Sequence, residues 1–171
     1  MSKAKERSVL FGAIAVFVGA LILGPMLLTA QPKAPPAVPT CEERTIQPGQ
    51  SLPSNYLTVN VYNASKKSGV ANRVRINLER KGFLGGYVGN NPGALQPKNV
   101  MILTQDPSDP RIALVAAQFK GKVEYAAADF DKRNGISVLV GPDFKGVDPK
   151  TPTSVKVKVP VEVCIPTIDL P

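Results

Sequence analysis

The sequence contains no histidine among its 171 residues and only two cysteines. Without histidine, neither a Ser-His-Asp nor a Cys-His catalytic set can be assembled, and the common zinc sites are excluded. Acidic residues are also few, with 13 Asp and Glu against 21 Lys and Arg and a formal net charge of +8. A basic chain of this kind favours anionic partners, such as phospholipid headgroups or charged wall polymers.

One long segment near the start of the chain contains no charge. Residues 9–30 read VLFGAIAVFVGALILGPMLLTA, and a helix needs about 20 residues to cross a bilayer. Three basic residues and one acidic residue lie within residues 1–8, which places that segment in the cytoplasm and the rest of the chain outside. We therefore predict a single-pass transmembrane helix. The alternative is a cleaved signal peptide, although the apolar run is long and Leu28-Thr29-Ala30 is a poor cleavage site.

Residues 31–40, QPKAPPAVPT, contain four prolines and predict a stiff, extended linker. Residues 41–171 are then enough for one extracytoplasmic domain with its own core and too few for two. Cys41 opens this domain and Cys164 nearly closes it. Outside the cytoplasm an oxidised pair is the natural state, so we predict a Cys41–Cys164 disulfide. Two buried free thiols are the alternative.

The first part of the domain has a strand-then-helix pattern. Residues 56–62 alternate between apolar and polar side chains, which predicts a half-buried strand. A helix follows, for which Ser65 or Ser68 is the expected N-cap and Gly82 the terminating glycine. Arg75 and Glu79 have the spacing of an i,i+4 ion pair. The expected apolar stripe of this helix consists of Val70, Val74 and Leu78.

The second part repeats the alternation of strands and a helix. A second helix is expected from Ser108 or Asp109, with Pro110 at its first position and Gly121 as its stop. Further strands are predicted over residues 83–89, 100–103, 123–127, 136–140 and 154–164. Pro160 confines the last strand to a sheet edge, which either pairs with another chain or is covered by the segment that Cys41 begins.

This order predicts an α/β (α+β) fold, a two-layer sandwich. In it a mixed sheet carries two helices on one face, preceded by one transmembrane helix.

The stretch NASKKSGVANRV, residues 63–74, joins the first strand to the first helix. It lacks the first glycine of a Walker loop and places its lysines before Gly69, so an ordinary turn and helix cap is favoured. The nearby cations form a candidate anion-binding patch, and a solvated helix face is the alternative. No aromatic residue interleaves with them, so nucleic acid is not an expected partner. The candidate patch residues are Lys66, Lys67, Arg73, Arg80 and Lys81.

No catalytic residue, metal site or cofactor is predicted. The neighbouring carboxylates Asp106 and Asp109, and likewise Asp129 and Asp131, are interpreted as solvated or capping groups. They would matter chemically only if a cleft raised their pKa values. We therefore expect no enzymatic activity.

Two stretches carry a resemblance to a known family. VNVYNASKKSGVANRVRINLERKGF resembles the opening of the LytR C-terminal domain, and ISVLVGPDF resembles its closing strand. The resemblance runs from about Leu57 to Phe144. In the LytR-CpsA-Psr enzymes a catalytic domain precedes this module and would need more than a hundred further residues, so that activity is not implied here.

The anchor, linker and cysteine pair are also similar to those of actinobacterial envelope-integrity proteins. That resemblance implies a non-catalytic, membrane-anchored extracytoplasmic protein that supports cell envelope integrity and permeability, as a scaffold or accessory in wall and membrane assembly. The alternative is a binding module that recognises an anionic wall glycopolymer or a lipid headgroup through the basic first helix. Expected partners are the membrane, a cell-wall polymer or other envelope proteins.

Overall fold

The structure, a computed structural model, describes residues 41–166. The predicted transmembrane helix at residues 9–30 and the proline-rich linker at residues 31–40 lie outside this range. Among the described residues, no helix is both long enough and apolar enough to cross a membrane.

The described chain forms nine strands, two α-helices and one short 3-10 turn. The first half contains β1 (Cys41–Ile46), β2 (Ser51–Pro53), the 3-10 turn (Ser54–Tyr56), β3 (Thr58–Asn63), α1 (Val70–Glu79) and β4 (Leu84–Asn90). The second half contains β5 (Val100–Leu103), α2 (Pro110–Ala116), β6 (Val123–Ala126), β7 (Ile136–Val140), β8 (Ser154–Lys156) and β9 (Val161–Pro166).

The main sheet has five strands in the order β4-β3-β7-β5-β6. Strand β3 runs parallel to both β4 and β7, whereas β5 runs antiparallel to β7 and parallel to β6. The predicted combination of a mixed sheet with two helices is thereby confirmed. Two antiparallel ribbons, β1–β9 and β2–β8, complete the domain.

Both helices pack into one hydrophobic cluster against the main sheet. Helix α1 contributes Ala71, Val74 and Leu78, and α2 contributes Ile112, Leu114 and Val115. The sheet contributes Val59, Val61, Val100, Ile102, Val138 and Val140. The opposite sheet face carries a smaller cluster of Tyr62, Met101, Leu103 and Leu139.

The prediction that β3 is buried on one face only was wrong. Asn60 and Tyr62 point away from the helices and are nevertheless 2% and 3% exposed. The Tyr62 ring packs against Phe130 and Tyr87 at centroid distances of 5.1 and 5.4 Å. The Asn60 amide donates to the Asn134 carbonyl and accepts the Tyr87 N–H. Alternation along the strand could not reveal these partners.

The two ends of α1 differ in how well the sequence predicted them. The serine N-cap was wrong, because Gly69 occupies the N-cap position and supplies no side-chain cap. The C-terminal glycine is confirmed. Gly82 has a φ of 86°, its N–H donates to the Glu79 carbonyl at 2.9 Å, and the Phe83 N–H donates to Leu78 at 3.2 Å. This pair of bonds is a Schellman motif, which needs a left-handed residue at that point.

The start of α2 also agrees with the prediction. The Asp109 carboxylate accepts the Arg111 backbone N–H at 2.8 Å, and a proline occupies the first turn. A carboxylate cap followed by proline suits this position, because proline has no N–H to leave unsatisfied.

The prediction of one edge strand over residues 154–164 was wrong. The segment forms β8 and β9, which pair with different strands, and Val159 between them is 55% exposed. Pro160 lacks an N–H for a ladder, so the chain turns there instead of continuing. Strand β1 lies on β9, so the segment that Cys41 begins does cover this part of the chain. Strands β1 and β2 were not predicted, because β1 buries only Ile46 and shows no apolar alternation.

The predicted disulfide is confirmed. Cys41 and Cys164 are bonded across the β1–β9 ribbon, with a Cα–Cα distance of 5.4 Å and a sequence separation of 123. The bond joins the first described strand to the last.

Candidate anion-binding groove

A groove opens where the carboxyl ends of β3 and β7 meet. Because these strands are parallel neighbours, the loop from β3 into α1 and the loop after β7 emerge at the same edge of the sheet. The space between them has a volume of about 340 Å³. We call it the basic groove, and it is lined by Lys67, Val70, Arg73, Asn77, Gly141, Pro142, Phe144, Lys145 and Gly146.

Three cations line the basic groove without a carboxylate among the lining residues. Lys67 and Arg73 come from the candidate patch, and Lys145 comes from the loop after β7. Within residues 41–166 the ion pairs are Arg75–Glu79, which the helix spacing predicted, and Arg111–Asp109. Neither pair lies in the groove, so its cations are not neutralised by an ion pair within the described part of the chain.

The structure divides the candidate patch. Lys66 and Arg80 are exposed but do not line the groove. Lys81 turns inward, where its Nζ donates to the Asp148 carbonyl at 2.6 Å and to the Thr151 hydroxyl at 2.6 Å. Burial lowers the pKa of the Lys81 ammonium from its ordinary value, and Asp148 acts in the opposite direction. Lys81 therefore serves as an internal donor, and its inclusion in a surface patch is corrected.

The NASKKSGV stretch is organised by its own side chains. The Ser65 hydroxyl donates to Asn63 Oδ1 at 2.7 Å, and Asn63 Nδ2 donates to the Lys67 carbonyl at 2.9 Å. Such side-chain bonds to nearby backbone are typical of polar turns. They fix the backbone of Lys67, whose Nζ reaches across the groove to within 3.4 Å of the Pro142 carbonyl. The interpretation of this stretch as a strand-to-helix turn is confirmed.

The opposite wall is fixed by hydrogen bonds from its backbone. The N–H groups of Gly141 and Asp143 donate to the carbonyls of Asn99 and Lys98 at 2.8 and 2.9 Å. Phe144 packs edge-on against Phe119 at a centroid distance of 6.3 Å. Lys145 could have been found only by combining the β3–β7 pairing with the loop sequence, because it lies far from α1 in the chain.

A second and larger cleft, of about 510 Å³, lies beside the disulfide. Two of its charged residues, Arg111 and Asp109, form an ion pair. The Arg111 guanidinium donates to both Asp109 oxygens, its Nη1 donates to the Glu162 carbonyl at 2.9 Å, and the bond to Asp109 raises the Arg111 pKa. This arrangement ties α2 to β9 and leaves Arg111 little capacity for a ligand.

The acidic pairs of the sequence serve local structure. Asp106 Oδ1 accepts the Ser108 backbone N–H at 2.9 Å and also the Ser108 hydroxyl, and these bonds lower the Asp106 pKa. Asp129 Oδ2 accepts the N–H groups of Ala94 and Leu95 at 2.6 and 3.1 Å. Asp131 is exposed. In the part of the chain that the structure describes, no three His, Cys, Asp or Glu side chains gather as metal ligands.

Comparison with known proteins gives one family and one solved structure. The soluble domain of a conserved hypothetical secreted protein from Mycobacterium marinum is 20% identical over 60% of this chain and 68% of that chain, with a TM-score of 0.44. No curated protein matches the sequence. The model of the family described as LytR cell envelope-related transcriptional attenuator matches residues 56–144, from the end of the 3-10 turn to Phe144. This match covers more than half of the chain, which belongs to the LytR C-terminal domain family.

Proposed function

We propose that this chain is a membrane-anchored extracytoplasmic protein that supports cell envelope integrity and permeability without catalysing a reaction. It would act as a scaffold or accessory in wall and membrane assembly. The observation that carries the proposal is the Cys41–Cys164 disulfide, because such bonds persist in oxidising compartments. The charge-free residues 9–30 and membership of an envelope-related family support the same location.

A non-catalytic role is supported by what the reactive groups already do. Both thiols are consumed in the disulfide. Asp109 caps α2, and Asp129 binds the Ala94 and Leu95 backbone N–H groups. The order of anchor, linker and disulfide-closed domain also resembles an actinobacterial envelope-integrity protein, which supports a structural role.

Deletion of the gene in its host tests this function. We expect faster uptake of a membrane-impermeant fluorescent dye in the deletion strain and recovery with the full chain. A chain without residues 2–40 stays in the cytoplasm and is the matched control, which should not restore the barrier. Unchanged dye uptake after deletion, or full rescue by the cytoplasmic control, would exclude the proposal.

A second candidate function is recognition of an anionic wall glycopolymer or lipid headgroup. It is favoured by the basic groove, where Lys67, Arg73 and Lys145 line one space without a carboxylate. Binding through exposed cations should fall steeply with added salt, because charges in solution are screened within about 8 Å at physiological ionic strength.

Sedimentation with purified cell wall tests the second function. The full chain in neutral-lipid nanodiscs should sediment with insoluble wall at low salt and remain in the supernatant at high salt. The Lys67→Glu, Arg73→Glu double variant should lose this binding while keeping its unfolding midpoint. Salt-insensitive sedimentation, or equal binding by the double variant, would remove this candidate.

A further inference from the structure

We propose that the basic groove binds a phosphodiester that links small polyol or sugar units. This inference rests on the second candidate function and names the chemical class of its ligand and the residues that select it. It places the binding site in one groove with two walls rather than on the whole basic face of the first helix.

Cationic residues line both walls of the groove, although the Lys145 side chain runs alongside Gly121. Lys67 and Arg73 stand on the wall formed by α1 and its entry loop, and Lys145 belongs to the wall formed by residues 141–146. Lys67 spans the groove towards the Pro142 carbonyl at 3.4 Å, which uses at most one of the three hydrogens of its ammonium. The remaining donors are available to a ligand between the walls.

The cation set of the groove suits a phosphate group, which lysine and arginine both bind. A planar carboxylate is matched by a single guanidinium fork, as Arg111 and Asp109 demonstrate elsewhere in this protein. Lysine ammonium groups have no fork and bind phosphate oxygens as point charges. Lys67, whose ammonium reaches the opposite wall, and Arg73 therefore suit a tetrahedral group whose oxygens point in different directions.

The rest of the groove suits the two arms of a diester. Its volume of about 340 Å³ exceeds that of a phosphate group and leaves space for an attached unit. Val70, Pro142 and Phe144 supply carbon surface for a polyol or sugar, and the Asn77 side-chain amide can exchange hydrogen bonds with hydroxyl groups. A diester carries a unit on each side of its charge, which fits a groove between two separate chain segments.

The wall opposite α1 is already ordered before a ligand arrives. The backbone of Gly141, Asp143 and Lys145 is bonded to Lys98 and Asn99, and the Lys120 N–H donates to the Gly146 carbonyl at 3.0 Å. A preformed wall lowers the entropy lost on binding, so a small ligand can bind without folding a loop.

The chain offers two matched pairs of cations for the test. Lys66 and Lys67 are adjacent and both exposed, but only Lys67 lines the groove. Arg73 and Arg80 are both exposed on or at the end of α1, but only Arg73 lines the groove. Within each pair, substitution by Gln removes one positive charge from either position. If the ligand responded only to the overall charge of the protein, the two variants of a pair would lose the same affinity.

The experiment is an NMR titration of the full chain in neutral phosphatidylcholine nanodiscs. The probe is glycerophosphoglycerol, a singly charged phosphodiester, and the control is glucuronate, a singly charged carboxylate. We expect binding on the order of a millimolar, with shifts at backbone amides of α1 and residues 141–146. Lys67→Gln and Arg73→Gln should each weaken binding about fivefold or more, since hydrogen bonds to charged groups are the strong ones. Lys66→Gln and Arg80→Gln should change it less than twofold, because neither residue lines the groove and a distant exposed charge contributes little.

Two further arms distinguish the sources of the phosphodiester. Shifts that appear in nanodiscs containing phosphatidylglycerol, without added probe, would identify a lipid headgroup as a ligand. Competition by glycerophosphoglycerol against wall sedimentation would identify a wall polymer. Either result supports the phosphodiester class.

Four outcomes would overturn the inference. Equal affinity for glucuronate and for the phosphodiester would show that the site does not select phosphodiesters. An equal loss of affinity in Lys66→Gln and Lys67→Gln would show that the groove is not the binding site. Wall sedimentation without any binding of the probe would reject the inference while leaving the second candidate function standing. Absence of both kinds of binding would reject both.

Discussion

The side chain of Asn99 holds the backbone of Lys145. Asn99 is 8% exposed, and its Oδ1 accepts the Lys145 N–H at 3.0 Å. Its Nδ2 donates to the carbonyls of Lys120 and Lys122, both at 2.9 Å. One buried amide therefore couples a wall of the basic groove to the turn that precedes β6.

Replacement of Asn99 should loosen this wall and destabilise the domain. Asn99→Leu leaves the Lys120 and Lys122 carbonyls and the Lys145 N–H without their partner, which should lower the free energy of unfolding by about 1–3 kcal/mol. Urea unfolding measures the change. Asn90→Ala is the control, since Asn90 is exposed at the end of β4. Equal stability of the two variants would show that Asn99 does not hold the wall.

Gly141 should tolerate no side chain. Its N–H donates to the Asn99 carbonyl at 2.8 Å, and a Cβ at this position would overlap the carbonyl oxygens of Pro97 and Lys98. Because backbone atoms cannot swing away, Gly141→Ala should destabilise the domain by about 1–3 kcal/mol and displace the adjoining wall. The measurement is urea unfolding together with the amide spectrum of residues 141–146. A wild-type spectrum and midpoint would contradict the assigned packing.

The features of the fold that were predictable from the sequence are local ones. The stripe of Val70, Val74 and Leu78 and the glycine after α1 repeat at helical spacing, and three of these four positions behave as expected. Val70, the fourth, is only partly buried because it borders the basic groove. The run at β5 is buried on both faces, as a central strand should be.

The predictions that were wrong or missing concern features that depend on residues distant in the sequence. Lys81 has the spacing of a surface cation, but its acceptors arrive from Asp148 and Thr151, far along the chain. Lys145 joins the groove only through the parallel pairing of β3 and β7. Strand β1 is polar at most positions and exists through its pairing with β9, so its composition did not indicate a strand. Periodicity within one segment contains none of this information.

Lys81 should make stability depend on alkaline pH. Burial lowers its pKa from 10.5, so just below that pH the folded state holds fewer protons on Lys81 than the unfolded state does. The free energy of unfolding should therefore rise with pH in this window, and the charged lysine should be least favourable below it. Urea unfolding of the wild-type chain and Lys81→Met at intervals between about pH 8.5 and about pH 10.5 isolates the effect. A stability difference that stays constant over this range would contradict the lowered pKa.

The Cys41–Cys164 disulfide should stabilise β1 more than the rest of the domain. Strand β1 buries only Ile46, at 5% exposure, so β1 itself has little apolar surface to hold it in place. The Cys41→Ser, Cys164→Ser double variant should lose about 2–5 kcal/mol of unfolding free energy, as is typical when a native disulfide is removed. Hydrogen exchange should accelerate first at the β1 and β9 amides, whereas β7, buried in the main sheet, should change only through global unfolding.

Reductant provides the matched comparison for this bond. A dithiol should lower the wild-type unfolding midpoint to that of the double variant and should leave the double variant unchanged. If reduction accelerated exchange in β7 as much as in β1, the disulfide would be a constraint on the whole domain rather than a tether for its first strand. If reduction accelerates hydrogen exchange in β1 more than in β7, we also expect the basic groove to stay intact. Its walls rest on α1, β7 and Asn99 rather than on the β1–β9 ribbon.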